Sequence, residues 1–276
     1  MIKRYLQGCV RNTPALTKQE GEKIMDTQIK KSKLEQICNV IATAKWMDLI
    51  GVAIVIAVSV SAGYATETLG QVAKWAFSLG LAWLPFGLIS IGNTVLSIMS
   101  TRLTGRMKYA GNVIGIINVV LSGAIDYILG NKAAIISYPV TFIIYIVALI
   151  VWKKYEDANK ANVAAKPLTG RKKTIVMTVI FAFSFVCSFF INYLGFKESN
   201  LLFWLTWLVF ALSLTANILN AMKLSLQNNY WLVYNVVQLL KSVVMLNWAN
   251  TGKYLYYIIS MIAAYVYWRE RTPETN

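Results

Sequence analysis

Histidine is absent from this 276-residue chain, and charged residues make up only 14% of it. The absence of histidine removes the commonest proton shuttle and metal ligand. Cys9, Cys38 and Cys187 lie too far apart in sequence for a metal knuckle or a disulfide framework. The sequence also lacks a Walker A motif, paired carboxylates and a nucleophile motif. We therefore predict no cofactor, no metal site and no enzymatic activity.

Hydrophobic residues, in contrast, make up 57% of the chain, and the mean hydropathy is +0.53. This composition is too apolar for a soluble domain. A helix needs about 20 apolar residues to cross the hydrocarbon core of a membrane. The sequence therefore predicts an all-α polytopic membrane protein with eight transmembrane helices, at residues 47–65, 76–100, 107–129, 132–152, 173–194, 201–222, 229–248 and 252–268. Pro85 lies inside the second of these spans and predicts a kink there.

Basic residues outnumber acidic ones, 27 to 12. They lie between the apolar spans and accompany no RNA-binding motif, so nucleic acid is not a predicted partner. The connections on one side of the spans carry 22 Lys and Arg residues, and those on the other side carry four, which are Lys74, Lys132, Lys197 and Lys253. Because basic residues stay on the cytoplasmic side, both termini are predicted to be cytoplasmic.

The second half of the chain repeats polar positions of the first half. Three pairs of motifs match. The stretch from Trp83 to Asn93 matches the stretch from Trp207 to Asn217. The pair Asn112 and Asn118 matches the pair Asn229 and Asn235, and Trp152-Lys153 matches Trp268-Arg269. The charge bias makes spans 2–4 and 6–8 enter the membrane in the same direction. The repeats are therefore predicted to be parallel, with the fifth span as an inverting connector.

The predicted organisation follows from this duplication. It consists of a cytoplasmic tail (1–46), an extra transmembrane helix (47–65), a first repeat (76–152), a connector helix (173–194), a second repeat (201–268) and a cytoplasmic tail (269–276). Within the first tail, the stretch from Lys33 to Trp46 fits either a short amphipathic helix on the membrane surface or a mobile segment.

Polar residues share one face on spans 3 and 7, which are equivalent spans of the two repeats. At 100° per residue, the polar positions of each span fall within a stripe of about 120°. Amides in membrane helices often only hold helices together, but a stripe of amides, rings and a lysine favours ligand contact because each such residue costs free energy on insertion. The predicted substrate-binding residues are Asn93, Asn112, Asn118, Trp204, Trp207, Asn217, Trp231, Tyr234, Asn235 and Gln238. Trp204 and Trp207 fit either an interfacial aromatic belt or a stacking wall for a flat ligand.

Asp126 and Lys241 are the two charges deepest in the predicted spans. Counted from Asn118 and Asn235, their depths differ by about 3 Å. We predict that they pair, either as an external gate or as a neutralised structural bridge.

These residues resemble the PnuC-type vitamin B precursor transporters, a bacterial family whose best-known members carry nicotinamide riboside. The resemblance runs from about Trp83 to Arg269, and it is strongest at Trp204-Leu-Thr-Trp207, Asn229-Tyr-Trp231, Tyr234-Asn235, Tyr254-Leu-Tyr-Tyr257 and Asn112-Val-Ile-Gly-Ile-Ile-Asn118. It implies a homotrimer in the lipid of the plasma membrane. It also implies facilitated diffusion of a vitamin or nucleoside ligand, which a cytosolic kinase then traps by phosphorylation.

The ligand is left open by departures from the family pattern. Asn217 stands where many members have Gln, and the turn from Asn247 to Asn250 is unusual. Relatives carry thiamine, riboflavin or deoxynucleosides, so a carrier of one of these is an alternative. A membrane-embedded receptor or enzyme subunit is the alternative from another class.

Overall fold

The computed structural model describes residues 33–196 and 199–273. The described residues from Cys38 onward form one compact unit. The described residues form ten α-helices, α1 (Lys33–Thr43), α2 (Trp46–Ser61), α3 (Leu69–Val72), α4 (Phe86–Gly105), α5 (Ala110–Ile128), α6 (Ala134–Asp157), α7 (Gly170–Gly195), α8 (Leu201–Ala221), α9 (Gln227–Val244) and α10 (Trp248–Arg269). The predicted tails lie outside the described residues at positions 1–32 and 274–276, as does Lys197.

Seven of the eight predicted spans correspond to helices whose ends lie within five residues of the predicted ends. The prediction for the second span is wrong. It placed a kinked helix over residues 76–100, whereas α4 begins at Phe86, directly after Pro85. Proline fits before the first helical turn, because the missing N–H would have no helical partner there. Residues 64–84 instead form α3 and two short 3-10 turns, and this segment is closed by a backbone bond from Leu69 N to Leu84 O of 2.8 Å.

Within the described residues, four helices are long and apolar enough to cross a membrane, namely α5, α6, α7 and α8. The bent pair of α1 and α2 would make a fifth. The helices α4, α9 and α10 fall short of this measure because each carries several buried polar side chains, such as Arg102, Lys241 and Lys253. The chain is an all-α polytopic membrane protein.

The helices pack in two similar sets. In the first set α5 packs between α4 and α6, and in the second set α9 packs between α8 and α10. The sets pack against each other chiefly where α6 meets α8 and where α10 meets α4. Two tryptophans reinforce these contacts, since Trp152 Nε1 donates to Asn220 O at 2.8 Å and Trp268 Nε1 donates to Gly105 O at 3.0 Å. Each set therefore ends on a tryptophan that is bonded to the other set.

Backbone landmarks recur at one spacing along the chain. The turns after α4 and α8 place Met107 and Lys223 at positive φ, and those after α5 and α9 do the same for Gly130 and Leu246. Both pairs lie 116 residues apart. That spacing aligns Asn118 with Tyr234, one residue from the predicted partner Asn235. It does not fit the match of Trp83 with Trp207, which lie 124 residues apart.

Basic residues that the sequence assigns to connections have structural partners. Arg102 Nε donates to Asp48 Oδ1 at 2.6 Å, and Arg106 Nη2 donates to both oxygens of Asp48 at 2.8 and 2.9 Å. Both guanidinium groups also bond carbonyl groups at the break between α1 and α2, including Ala44 O at 3.2 Å. This cluster, the Asp48 clamp, holds that break against the end of α4.

Lys223 has a similar role after α8. It is buried, and its Nζ donates to Ala161 O at 2.7 Å and to Lys160 O at 3.2 Å. Burial lowers the pKa of Lys223 to about 8. Since this pKa lies above 7, the ammonium form still prevails at neutral pH and can donate to both carbonyl groups. Lys223 therefore fixes the α6–α7 connection to the turn between α8 and α9.

We expect Asp48→Asn to lower the melting temperature of the purified protein, because two partly buried guanidinium groups lose their counter-charge. The free energy of unfolding should fall by about 1–3 kcal/mol, a moderate loss because Asp48 keeps some contact with water. Thermal unfolding in detergent would measure it. Asp157→Asn, at the exposed end of α6, is the matched control. An equal effect of the two substitutions would show that the Asp48 clamp adds no stability.

Candidate functional site

One cavity lies between the two helix sets and is lined by residues of α4, α5, α6, α8, α9 and α10. It holds about 160 Å³ of water-accessible space, which is room for on the order of ten water molecules and thus for an organic ligand. Its lining on α10 runs from Asn250 to Trp268. At 1.5 Å per residue this is about 27 Å, close to the thickness of a bilayer core.

Most of the predicted site residues line this cavity. Seven of the ten do so, Asn93, Asn118, Asn217, Trp231, Tyr234, Asn235 and Gln238, together with the predicted pair Asp126 and Lys241. They come from both helix sets, because α5 and α9 turn their polar stripes toward each other.

Three predicted residues lie elsewhere. Asn112 is fully buried and accepts a bond from Asn220 Nδ2 at 3.2 Å. Trp207 packs between α7 and α8, where its Nε1 donates to Phe185 O at 3.1 Å. Trp204 is 47% exposed on the outer surface. The helical wheel fixed the angles between these side chains but not which neighbour each one faces, so the stacking-wall interpretation of the two tryptophans is wrong.

The amides of the first set are bonded to each other. Asn118 Nδ2 donates to Asn93 O at 2.9 Å and to Asn93 Oδ1 at 2.8 Å, and Asn93 Nδ2 donates to Ser122 Oγ at 2.9 Å. This network joins α4 to α5, which is the helix-packing role that amides often have in membranes.

The second set offers unpaired amide groups. Among the described residues, Asn235 Nδ2 is buried without a hydrogen-bond partner, and the Asn217 side chain makes no hydrogen bond. A buried donor without a partner is costly, and at a cavity wall a ligand acceptor can satisfy it. These two amides are therefore placed to recognise polar atoms of a ligand, as are Gln227 Nε2 and Asn220 Oδ1, which line the cavity and are also buried without a partner.

Aromatic rings continue the wall on α9 and α10. The ring centroids of Trp231 and Tyr234 are 5.0 Å apart, those of Tyr234 and Tyr254 are 6.0 Å apart, and those of Tyr254 and Tyr257 are 5.8 Å apart. Gln238 Nε2 donates to Tyr234 Oη at 2.8 Å, which fixes the phenol. Such a row of rings suits a ligand with a flat aromatic part.

The predicted charge pair forms at one end of the cavity. Lys241 Nζ lies 2.6 Å from Asp126 Oδ2, and both side chains are buried. Asn131 Nδ2 donates to the same oxygen at 3.2 Å. The carboxylate is thus neutralised by a cation and bonded to an amide.

Several lining residues were missed by the sequence analysis. They are mostly tyrosines and hydroxyl or amide residues of helices that read as apolar, namely Ser100, Tyr138, Tyr145, Asn220, Asn228, Tyr254 and Tyr257. Tyr254 and Tyr257, three residues apart on one helix face, offered a signal. Tyr145 is accommodated by Gly115, where any Cβ atom would collide with the tyrosine ring.

We expect Asn235→Ala to raise the dissociation constant of a ligand bound in this cavity roughly ten- to a hundredfold, because a ligand acceptor loses a donor worth about 1–3 kcal/mol. The melting temperature of the Asn235→Ala variant should stay near that of the wild type. Asn118→Ala should weaken binding to a similar extent and also lower the melting temperature, because two bonds to Asn93 are lost.

Calorimetric titration and thermal unfolding measure these two effects. Asn162→Ala, at an exposed position outside the cavity, is the control and should change neither. Unaltered affinity in both cavity variants would show that Asn118 and Asn235 contribute to helix packing and not to ligand binding.

Comparison with known proteins bears on this cavity. A family model described as nicotinamide mononucleotide transporter matches residues 87–270, a range that contains every lining residue of the cavity. The structure described as the crystal structure of the vitamin B3 transporter PnuC aligns with a TM-score of 0.60 at 17% sequence identity, covering 87% of this chain and 92% of that chain. The curated proteins contain no match.

Proposed function

Because the chain belongs to the nicotinamide mononucleotide transporter family, a family of transporters rather than of enzymes, we propose that it carries a vitamin B3 precursor across a membrane. The ligand class is nicotinamide riboside or a similar nucleoside-like vitamin. The observation that carries this proposal is the cavity itself, whose open amides at Asn217 and Asn235 adjoin the aromatic row on α9 and α10. Amides suit the hydroxyl and carboxamide groups of such a ligand, and the rings suit its flat base.

Transport by facilitated diffusion fits the chemistry of the cavity. A proton-coupled carrier needs a group that binds and releases protons during transport. Among the described residues, the carboxylate that lines the cavity is Asp126, which Lys241 holds at 2.6 Å. An ammonium group at that distance favours the ionised carboxylate and opposes its protonation. Accumulation would then come from a cytosolic kinase that phosphorylates the ligand after entry.

The architecture that we propose has eight spans, α2 and α4–α10, in which α4–α6 and α8–α10 are parallel repeats joined by α7. The domain bounds otherwise follow the sequence prediction, with the first repeat beginning at Phe86. The common spacing of 116 residues between the positive-φ turns supports this arrangement, as do the crossed tryptophan bonds. We further propose that the protein lies in a bacterial plasma membrane as a homotrimer, on the family resemblance.

Uptake into proteoliposomes should need no ion gradient. The internal concentration of the ligand should rise to the external one and stop there, and accumulation should appear only with an enclosed phosphorylating kinase and ATP. Protein-free liposomes are the control. Uphill uptake driven by a proton or sodium gradient alone would refute facilitated diffusion, and its loss in Asp126→Asn with binding retained would assign the coupling to Asp126.

Both termini should be cytoplasmic, because the sequence assigns 22 basic residues to that side and four to the other, of which the structure places Lys253 inside α10. Three of the 22, Arg102, Arg106 and Lys223, have structural partners. The other basic residues of that side then set the orientation of the chain in the membrane. Reporter fusions at Met1 and Asn276 test this topology. Fusions that were active only outside the cell would overturn the topology and the parallel repeat with it.

A further inference from the structure

Two buried amide side chains at one end of the cavity each have an unpaired polar atom. Gln227 is the first residue of α9 and Asn220 lies in the last turn of α8. Both residues line the cavity, and they are 1% and 3% exposed. Gln227 Nε2 and Asn220 Oδ1 have no hydrogen-bond partner in the part of the chain that the structure describes. Because an unpaired polar atom is costly to bury, both atoms are suited to bonding a ligand that enters the cavity.

One neighbour of each amide determines which of its atoms remains free. The indole N–H of Trp231 can only donate, and it donates to Gln227 Oε1 at 3.3 Å. The free atom of Gln227 is therefore the donor Nε2. Asn220 Nδ2 donates to Asn112 Oδ1 at 3.2 Å, so the free atom of Asn220 is the acceptor Oδ1. The pair thus offers one donor and one acceptor.

The two positions are neighbours across the turn between α8 and α9. The spacing of 116 residues between the helix sets makes Thr104 and Gly111 their equivalents in the first set. There, a Cβ atom on Gly111 would collide with Thr104 Oγ1, so the equivalent positions are in contact. Since glycine occupies the position that Gln227 has in the second set, the first set does not repeat this donor. The donor–acceptor pair therefore makes one end of the cavity asymmetric.

This end of the cavity lies away from its charged groups. Among the described residues, the Asp and Lys side chains that line the cavity are Asp126, Lys241 and Lys253. Lys241 bonds to Asp126 and lies 14 residues from Gln227 along α9, or about 21 Å. Lys253 lies near the start of α10, which follows the end of α9. A neutral polar group beside Gln227 therefore meets no competing charge.

We propose that Gln227 and Asn220 form a subsite for a primary carboxamide, or for another neutral edge that carries a donor beside an acceptor. This inference rests on the proposed function and places one end of its ligand. The carboxamide oxygen accepts from Gln227 Nε2, and the carboxamide N–H donates to Asn220 Oδ1. The ring that bears the carboxamide then lies beside Trp231, which lines the cavity and holds Gln227. A carboxylate would instead turn a negative oxygen toward Asn220 Oδ1, so the subsite selects against it.

Calorimetric titration of the full-length protein in lipid nanodiscs tests the subsite with two probes of equal charge. Nicotinamide riboside carries the carboxamide. In 3-acetylpyridine riboside a methyl group replaces the amide nitrogen, so this probe keeps the oxygen and lacks the donor. Wild-type protein should bind nicotinamide riboside about tenfold or more tightly, because the acetyl probe leaves Asn220 Oδ1 unpaired.

Variants assign this preference to one atom. Asn220→Leu, similar in size but without the acceptor, should bind the two probes equally, and Asn220→Ala provides the same comparison with a smaller side chain. Gln227→Met removes the donor, so it should weaken both probes by about tenfold and keep the preference, because both probes retain the oxygen. Asn217→Leu is the matched control, since Asn217 is a lining amide one turn from Asn220 on α8. It should weaken both probes and keep the preference.

Three results would overturn the inference alone. They are equal affinity of wild-type protein for the two probes, an unchanged preference in a folded Asn220 variant, and loss of the preference in Asn217→Leu. If neither Asn220 variant folds, Gln227→Met decides, because unchanged affinity for both probes contradicts the subsite and an equal loss supports it. Failure of both probes to bind folded wild-type protein would instead reject the proposed function, and this inference with it.

Discussion

The hydrocarbon core of a membrane offers no water, so each polar side chain inside it must find a partner in the protein or face a wet cavity. This constraint orders the helices of the chain. Three of the helices that line the cavity, α4, α9 and α10, are too polar to stand out by hydropathy, whereas α5, α6 and α8 are apolar overall and line it with a polar face. The apolar helices α6 and α7 have only 17% of their most hydrophobic window buried, which leaves most of their surface to lipid. Polarity thus decides the position of each helix, and the cavity is where the polar faces meet.

Two tryptophans determine how the helix sets are joined. Trp152 and Trp268 end their sets, donate to carbonyl groups of the opposite set, and have ring centroids 6.0 Å apart. The acceptors lie at the ends of α8 and α4. Gly105 O is a carbonyl group that the end of α4 leaves free, whereas Asn220 O also accepts a backbone bond from Lys223 N at 2.8 Å. Trp268 lines the cavity as well. The same contact therefore joins the two helix sets and bounds the cavity at the end opposite the charge pair.

Sequence reasoning found the helices better than it found the site. Helix positions follow from the lengths of apolar runs, and only the second span was misplaced, because residues 76–85 are apolar without being helical throughout. The stripe ending in Asp126 was found because polar residues on one helical face must face the same way. Trp204, Trp207 and Asn112 were assigned wrongly because their neighbours come from distant parts of the chain. Lys253 was assigned to a connection because a lysine near a helix end is easily taken to mark that end. Of the lining tyrosines, Tyr234 was predicted, and Tyr138, Tyr145, Tyr254 and Tyr257 were not.

The ion pair between Asp126 and Lys241 also constrains how the protein is made. Its two members are separated by 115 residues, so the ribosome delivers α5 long before α9 exists. During that interval the carboxylate of α5 has no cation beside it, and α5 relies on its hydropathy of 1.5 to enter the bilayer. The lysine and amides of α9 oppose its insertion as a single helix. Stable insertion of α9 therefore depends on α5 being in the membrane first, so the order of synthesis is part of the folding mechanism.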